Sequence, residues 1–368
     1  MAEHDISSFG KIITRLIRRE NLSREEACTA FSKVLKNQTT EIQQGAFLAA
    51  LGAKGETAEE IAGCHKAIYE IDTVKVYPHV NSPIIENCGT GMDSFKTFNI
   101  STAAAIIAAC DGLHIARHGA RAITSACGTV DMAECLGVDV ECDASVVCSS
   151  LEKCGLALFN GMSSKIHPAS LGRILSQIAF GTTLNIAASL ANPVKVDIGV
   201  RGVYSKEMIL PVISAMKEIG FKKALVFCGE IDSTSLVMDE ASVCGQTSCA
   251  ELQNDGTIVN YSFRPESVGL TTHKPDLLAP CSDRVKECRD FIALLKNRSS
   301  KVRTDAALLN AGMIFYAARK AATIYDGVVK AAEILDSGKA INKLAEWVLS
   351  QNDVPEKGMM KLELLMGY

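Results

Sequence analysis

Pro83-Ile84-Ile85-Glu86-Asn87-Cys88-Gly89-Thr90-Gly91-Met92-Asp93 decides the fold, together with Asn99-Ile100-Ser101-Thr102 and the alanine-rich run that follows to Cys110. Ile84 to Cys88 reads as a short buried strand, and Gly89-Thr90-Gly91 as a tight loop. Ser101 to Cys110 reads as a helix that stops near Gly112. Leu113 to Ala116 is then the next strand, running into Arg117-His118-Gly119-Ala120-Arg121. Strand, glycine loop, helix and strand in succession open a parallel α/β unit. Loops of such a unit gather at the C-terminal ends of the strands, the edge where open α/β sheets bind ligands.

Outward from this stretch, the pattern on the N-terminal side is helical. Phe9 to Arg18 has apolar residues at helical spacing. Ser23 with Glu26, Thr40 with Gln43 and Thr57 with Glu60 each carry the capping-box pattern ahead of an apolar run. Four short helices without an intervening strand predict a small helical domain over residues 1–78, joined by part of 168–190, with a linker at Val76 to Val80 around Pro78. Residues 79–368 are expected to form a larger α/β domain with a mostly parallel central sheet. A helix from about Val130 to Leu136, strands at Leu156–Phe159 and Ala224–Phe227, and a helical tail from Leu308 belong to it.

Composition bounds the function. The chain of 368 residues is 48% hydrophobic and 22% charged, so a large core is available. Its net charge of −4 offers no general phosphate-neutralising surface, which disfavours nucleic acid as a partner. No secretion signal or run long enough to cross a membrane is read, which predicts a cytoplasmic setting. Fourteen cysteines without a C-x-x-C pair, and with spacings such as Cys244 to Cys249, do not match zinc patterns. They are expected to be reduced and mostly buried.

The loops carry the chemistry. Glycines allow the backbone to approach an anion closely, and the free N–H groups of a following helix favour negative charge. A tight turn explains Gly89-Thr90-Gly91-Met92-Asp93 taken alone. Asn99, Ser101 and Thr102, three polar side chains at one helix start, exceed what capping needs. Arg117 and Arg121 add cations, and Ser125, Gly128, Thr129 and Asp131 offer a second glycine turn. Two anion-cradling loops suit a ligand with two phosphate groups. Asp239-Glu240 supplies adjacent carboxylates of the kind Mg2+ takes beside substrate phosphates.

These segments resemble the signature loops G-T-G-G-D, N-I-S-T and K-H-G-N-R of the anthranilate phosphoribosyltransferase family. Further matches follow in order: Gln43 to Leu48, Lys54 to Thr57, His167-Pro168-Ala169, Leu190 to Pro193, Asp239 to Ser242 and Asp336 to Ala340. The resemblance implies a homodimer, for which apolar positions on the N-terminal helices, near Ile12, Leu16, Phe47 and Leu51, are expected to supply the contact. It implies phosphoribosyl pyrophosphate (PRPP) held by Gly89, Thr90, Gly91, Asp93, Thr97, Asn99, Ser101, Thr102, Arg117, Ser125 and Thr129. It places Mg2+ at Ser101, Asp239 and Glu240, and the acceptor at Gly89, Ala120 and Arg173 or Gln177.

The chain departs from the family pattern chiefly on the acceptor side. Met92 stands for the second glycine, Arg117 for lysine and Ala120 for asparagine. The acceptor-binding arginine falls on Gln177 by ungapped counting and on Arg173 only after a shift. The implied activity is Mg2+-dependent transfer of 5-phosphoribosyl from PRPP to an aromatic amine or nitrogen base. Anthranilate, and with it tryptophan biosynthesis, is the first candidate, and His118 is the candidate for orienting or deprotonating the acceptor. Two other readings stand beside it. Arg121 to Asp131 resembles the loop of nucleoside phosphate phosphorylases, and paralogues without acceptor chemistry bind nucleic acid.

Overall fold

The computed structural model describes residues 3–121 and 128–367. Four helices come first, α1 (Glu3–Ile17), α2 (Arg24–Leu35), α3 (Glu41–Lys54) and α4 (Ala58–Ile71). Ser23 and Thr57 close full capping boxes with Glu26 and Glu60. Thr40 accepts from the Gln43 N–H, while the Gln43 amide reaches back to the Ile6 carbonyl and ties α3 to α1. Each such cap stabilises its helix by about 1 kcal/mol.

The alternating part follows as β1 (Ile84–Gly89), α5 (Ile100–Ala109), β2 (His114–Gly119), α6 (Thr129–Cys135), α7 (Ala144–Cys154) and β3 (Leu156–Asn160). Two short helices, α8 (Leu171–Ile178) and α9 (Thr183–Leu190), lead to β4 (Ile198–Gly202), α10 (Ile209–Ile219) and β5 (Lys223–Glu230). Then come β6 (Val237–Met238), β7 (Thr247–Leu252) and β8 (Ile258–Phe263). Five helices close the chain: α11 (Arg284–Leu295), α12 (Lys301–Ala317), α13 (Ile324–Asp336), α14 (Lys339–Ser350) and α15 (Pro355–Met366).

The sheet order is β3-β2-β1-β4-β5-β7-β8, with β6 paired to β5. The strands β3, β2, β1, β4 and β5 are mutually parallel, and β7, β8 and β6 join antiparallel. From β1 the chain first builds outward to β2 and β3, then returns to add β4 on the other side. The switch point therefore lies between β1 and β4, where Gly89 and Gly202 are register partners at the strand ends. Every residue of β3 and β4 is buried, as expected of parallel strands covered on both faces.

Helices α1 to α4 do not close a core by themselves. Phe9, Phe31, Phe47 and Leu51 pack in one cluster with Leu171 and Leu175 of α8 and Leu184 and Ala187 of α9. Asp72 locks this arrangement. Its carboxylate accepts from the N–H groups of Ala169, Ser170 and Leu171 at 2.5–2.9 Å, so one anion satisfies the start of α8.

Leu16, Phe47 and Leu51, expected at a dimer contact, lie buried inside this lobe. Their helical spacing marks its interior, whereas Ile6, Ile17 and Ile42 are the exposed apolar residues of α1 and α3. The expectation of uniformly reduced cysteines also changes. A disulfide joins Cys135 of α6 to Cys288 of α11, because these helices pack together and bring the two Cα atoms within 6.8 Å.

Candidate active site

A cavity of about 720 Å³ opens at the C-terminal ends of β1 and β2, closed on its far side by α8 and α9. On the sheet side, glycines admit Asp239. A Cβ at Gly89 would collide with the Asp239 carboxylate, and one at Gly202 with the Asp239 backbone. Gly89 therefore makes room for an acidic residue, a reason the loop pattern alone does not suggest. Asp239 Oδ2 accepts from the Gly91 N–H at 2.7 Å, and Glu240 Oε1 accepts from the Ser101 N–H at 3.0 Å. The carboxylates thus sit on the amides that the sequence reserves for phosphate.

Burial pushes both carboxyls up, Asp239 to about 7 and Glu240 to about 8, with Asp93 repelling the first and Asp239 the second. Two adjacent carboxylates, Glu240 buried and Asp239 half-buried, with a hydroxyl, Ser101, beside Glu240 form an oxygen donor set that fits a hard divalent cation. Asp93 is itself paired with Lys96 at 2.6 Å.

Arg117 is a strand residue of β2 rather than a loop cation. It is 2% exposed and donates to the Asn87 carbonyl at 3.1 Å, to Thr102 Oγ1 at 2.5 Å and to Ser101 Oγ at 2.8 Å. Arg117 and Thr102 therefore stand behind the cavity wall and hold Ser101 and the first turn of α5 in place. Arg121 bonds Glu134 at 2.8 Å and Glu141 at 3.0 Å.

His118, also on β2, is buried against the cavity. Its Nε2 lies 3.0 Å from His167 Nε2, and His167 Nδ1 lies 2.6 Å from the Asp72 carbonyl. A carbonyl only accepts, so His167 carries its proton on Nδ1 and its Nε2 accepts from His118 Nε2–H. That leaves His118 Nδ1 buried without a well-aligned hydrogen bond, the ring lying against the Ala188 and Ser189 backbone. Burial, then His167, lowers the His118 pKa to about 3, so the ring is neutral.

The wall opposite the sheet is apolar: Leu171, Leu175, Phe180, Leu184 and Ala188. Met92 crosses to it from the glycine loop. It holds φ 69° without being glycine, and its side chain lies against Gly181, where an added Cβ would meet it at 2.5–2.7 Å.

Of the expected site residues, Gly89, Thr90, Gly91, Asp93, Thr97, Asn99, Ser101, His118, Ala120, Thr129, Asp239 and Glu240 line the cavity together. Thr102, Arg117, Arg173 and Gln177 do not line it. Arg173 and Gln177 lie two residues after Leu171 and Leu175, about 200° around α8 from those wall residues. Arg173 instead donates to Gln44 at 3.3 Å. Ser125 falls in residues 122–127, outside the described residues. Sequence reasoning missed the α8–α9 wall and the role of His167; the apolar spacing Leu171, Ile174, Leu175 was the available signal.

The helical bundle domain of a glycosyl transferase family matches residues 10–70, and the α/β domain of that family matches residues 81–341. The anthranilate phosphoribosyltransferase of Bacillus mycoides is 34% identical over 349 residues, covering 94% of this chain and 98% of that protein. That of Methanothermobacter thermautotrophicus is 31% identical over 92% and 97%. The crystal structure of the Thermus thermophilus enzyme superposes with a TM-score of 0.81 at 30% identity, covering 92% of this chain and 99% of that one. The Saccharomyces cerevisiae enzyme in complex with PRPP and Mg has the same fold, with a TM-score of 0.81 at 23% identity over 95% and 99% of the two chains.

Proposed function

The chain belongs to the glycosyl transferase family that includes these anthranilate phosphoribosyltransferases, and on that premise we propose how its cavity serves the transfer. It is a pentosyltransferase that moves 5-phosphoribosyl from PRPP to an aromatic amine, with anthranilate, the tryptophan-pathway acceptor, first. The observation that carries the reading is the Asp239–Glu240 pair at the switch point, resting on the Gly91 and Ser101 amides.

Asp239, Glu240 and Ser101 would hold Mg2+, which neutralises charge developing on the departing pyrophosphate. The amides of Gly91 and Ser101 hold the two carboxylates at the mouth of the donor site. Gly89, Thr90, Asp93, Thr97, Asn99 and Thr129 line the rest of the donor site. Thr102 and Arg117 act from behind by fixing Ser101, an arrangement of dipoles set before reaction. The bond from the ribose anomeric carbon to pyrophosphate breaks as the acceptor nitrogen bonds to that carbon. His118, whose Nδ1 has almost no exposed surface, backs the acceptor compartment rather than touching the amine.

The two-lobed division, residues 1–78 with part of 168–190 against 79–368, belongs to the same reading. So do a homodimer using the exposed Ile6, Ile17 and Ile42 face and a cytoplasmic setting. Among the described residues no helix is long and apolar enough to cross a membrane.

The test is pyrophosphate release from PRPP, Mg2+ and anthranilate, with mass analysis of the product. One phosphoribosylated amine per pyrophosphate is expected. Ribose 1-phosphate formed only with inorganic phosphate would replace this reading with phosphorolysis.

A further inference from the structure

Among the described residues the acceptor compartment contains no unpaired cation, and what it does contain suits an uncharged ring. We infer that it recognises the acceptor as a neutral aromatic amine, so that the enzyme also transfers phosphoribosyl to uncharged primary arylamines, the carboxylate of anthranilate adding little. The inference rests on the transfer reading above and deepens it.

Four observations carry it. The wall is formed by Leu171, Leu175, Phe180, Leu184 and Ala188, and the polar groups among these are His118, Asn185 and Ser189. None of these three carries positive charge, since His118 is held neutral by burial. Every nearby cation among the described residues is matched elsewhere. Lys96 pairs with Asp93, and Arg121 with Glu134 and Glu141. Arg201, fully buried beneath Ser189, donates to its Oγ at 2.7 Å and is paired with Glu86. Arg173 is on the opposite face of α8, against Gln44. Residues 122–127, Ala-Ile-Thr-Ser-Ala-Cys, add no cation in any conformation.

Met92 completes the compartment. A non-glycine residue at φ 69° is uncommon and costs backbone energy, so its retention points to a use for the side chain. The thioether spans from the donor loop to Gly181 and gives the compartment an apolar, polarisable face. A carboxylate placed there is stripped of water without a cation to pair it, whereas an aromatic ring gains from burial. The side-chain polar groups that α9 brings to this compartment, Asn185 and Ser189, are uncharged. The reaction stays balanced: the anomeric C–O bond breaks, the C–N bond forms, and the amine's proton passes to the departing pyrophosphate.

The experiment compares anthranilate with its uncharged isostere 2-aminobenzamide, both with PRPP and Mg2+, by pyrophosphate release. The expected kcat/KM values agree within about tenfold. A preference for anthranilate of about a hundredfold or more overturns the inference. Phe180→Arg, which places a cation at the rim, should shift the ratio toward anthranilate by about tenfold. An unchanged ratio would mean that the acceptor lies elsewhere. If neither ring releases pyrophosphate, the transfer reading itself fails. Calorimetric binding of the two rings to the protein with PRPP and Mg2+ then decides the compartment separately: similar affinities support the inference, and a hundredfold preference for the acid overturns it.

Discussion

The two halves of the cavity are built on opposite principles. The half proposed for the donor is made of strand ends and helix starts, and it concentrates charge: Asp93 and Glu240 lie buried, and Asp239 half-buried, around amides at Gly91 and Ser101. The half proposed for the acceptor comes from α8 and α9, which share a core with the N-terminal helices, and its wall is aliphatic and aromatic. The first is locally unfavourable without a ligand, since buried carboxylates repel one another. The second is an ordinary apolar surface left open at one end. Binding in the donor half is therefore expected to depend on ions, and binding in the acceptor half on shape and burial.

The sharpest way to break this comparison is Glu240→Ala. Turnover should fall by about 10²–10³-fold, the loss typical of removing one stabiliser of developing charge, while thermal unfolding of the metal-free protein shows no loss of stability because a repulsive buried carboxyl has gone. A large drop in stability would mean that Glu240 is structural. Asp72→Ala comes next. Three amides at the start of α8 lose their acceptor, and denaturant unfolding should show a loss of about 3 kcal/mol. A smaller loss would show that the acceptor wall does not depend on this tether.

His118 provides a pH test of about 1 kcal/mol. Its folded pKa of about 3 lies below the usual value near 6.5. Below pH 6.5 the unfolded chain binds a proton that the folded chain refuses. Stability therefore falls as pH drops from 6.5 toward 3, and this contribution is fully present above 6.5. His118→Gln lacks it, so the stability gap between the native protein and the variant should narrow by about 1 kcal/mol from pH 7 to 5.5. A constant gap would mean that His118 is not held neutral. The smallest effect belongs to Arg173→Ala. Facing Gln44 rather than the cavity, it should change the acceptor KM less than about twofold, within the range of exposed polar contacts. A tenfold rise would return a cation to the acceptor half.

The same division governs what the sequence makes legible. Donor residues are contiguous, because a strand end, a glycine loop and a helix start fit within about twenty residues. Gly89 to Thr102 could thus be read directly, although the reason for Gly89 could not: the collision it avoids is with a residue 150 positions away. Arg117 looks like a loop cation in sequence, since nothing local shows that β2 continues to Gly119 and buries it. β4 shows no alternation because it is buried on both faces, and its two glycines and Arg201 resemble a loop. The helical lobe was legible from its caps. The acceptor wall was not, because its surface exists only once α8 and α9 pack against helices more than a hundred residues earlier.

The account turns on the claim that Asp239 and Glu240, held at the Gly91 and Ser101 amides, are the residues that would hold a divalent ion beside the pyrophosphate. The most direct test is equilibrium binding of PRPP to the native protein as Mg2+ is raised, repeated with Asp239→Asn combined with Glu240→Gln. The account predicts that native affinity climbs by at least about tenfold with Mg2+ and that the double variant loses most of this dependence. PRPP affinity that is the same with and without Mg2+, or an equal rise in the double variant, would contradict it.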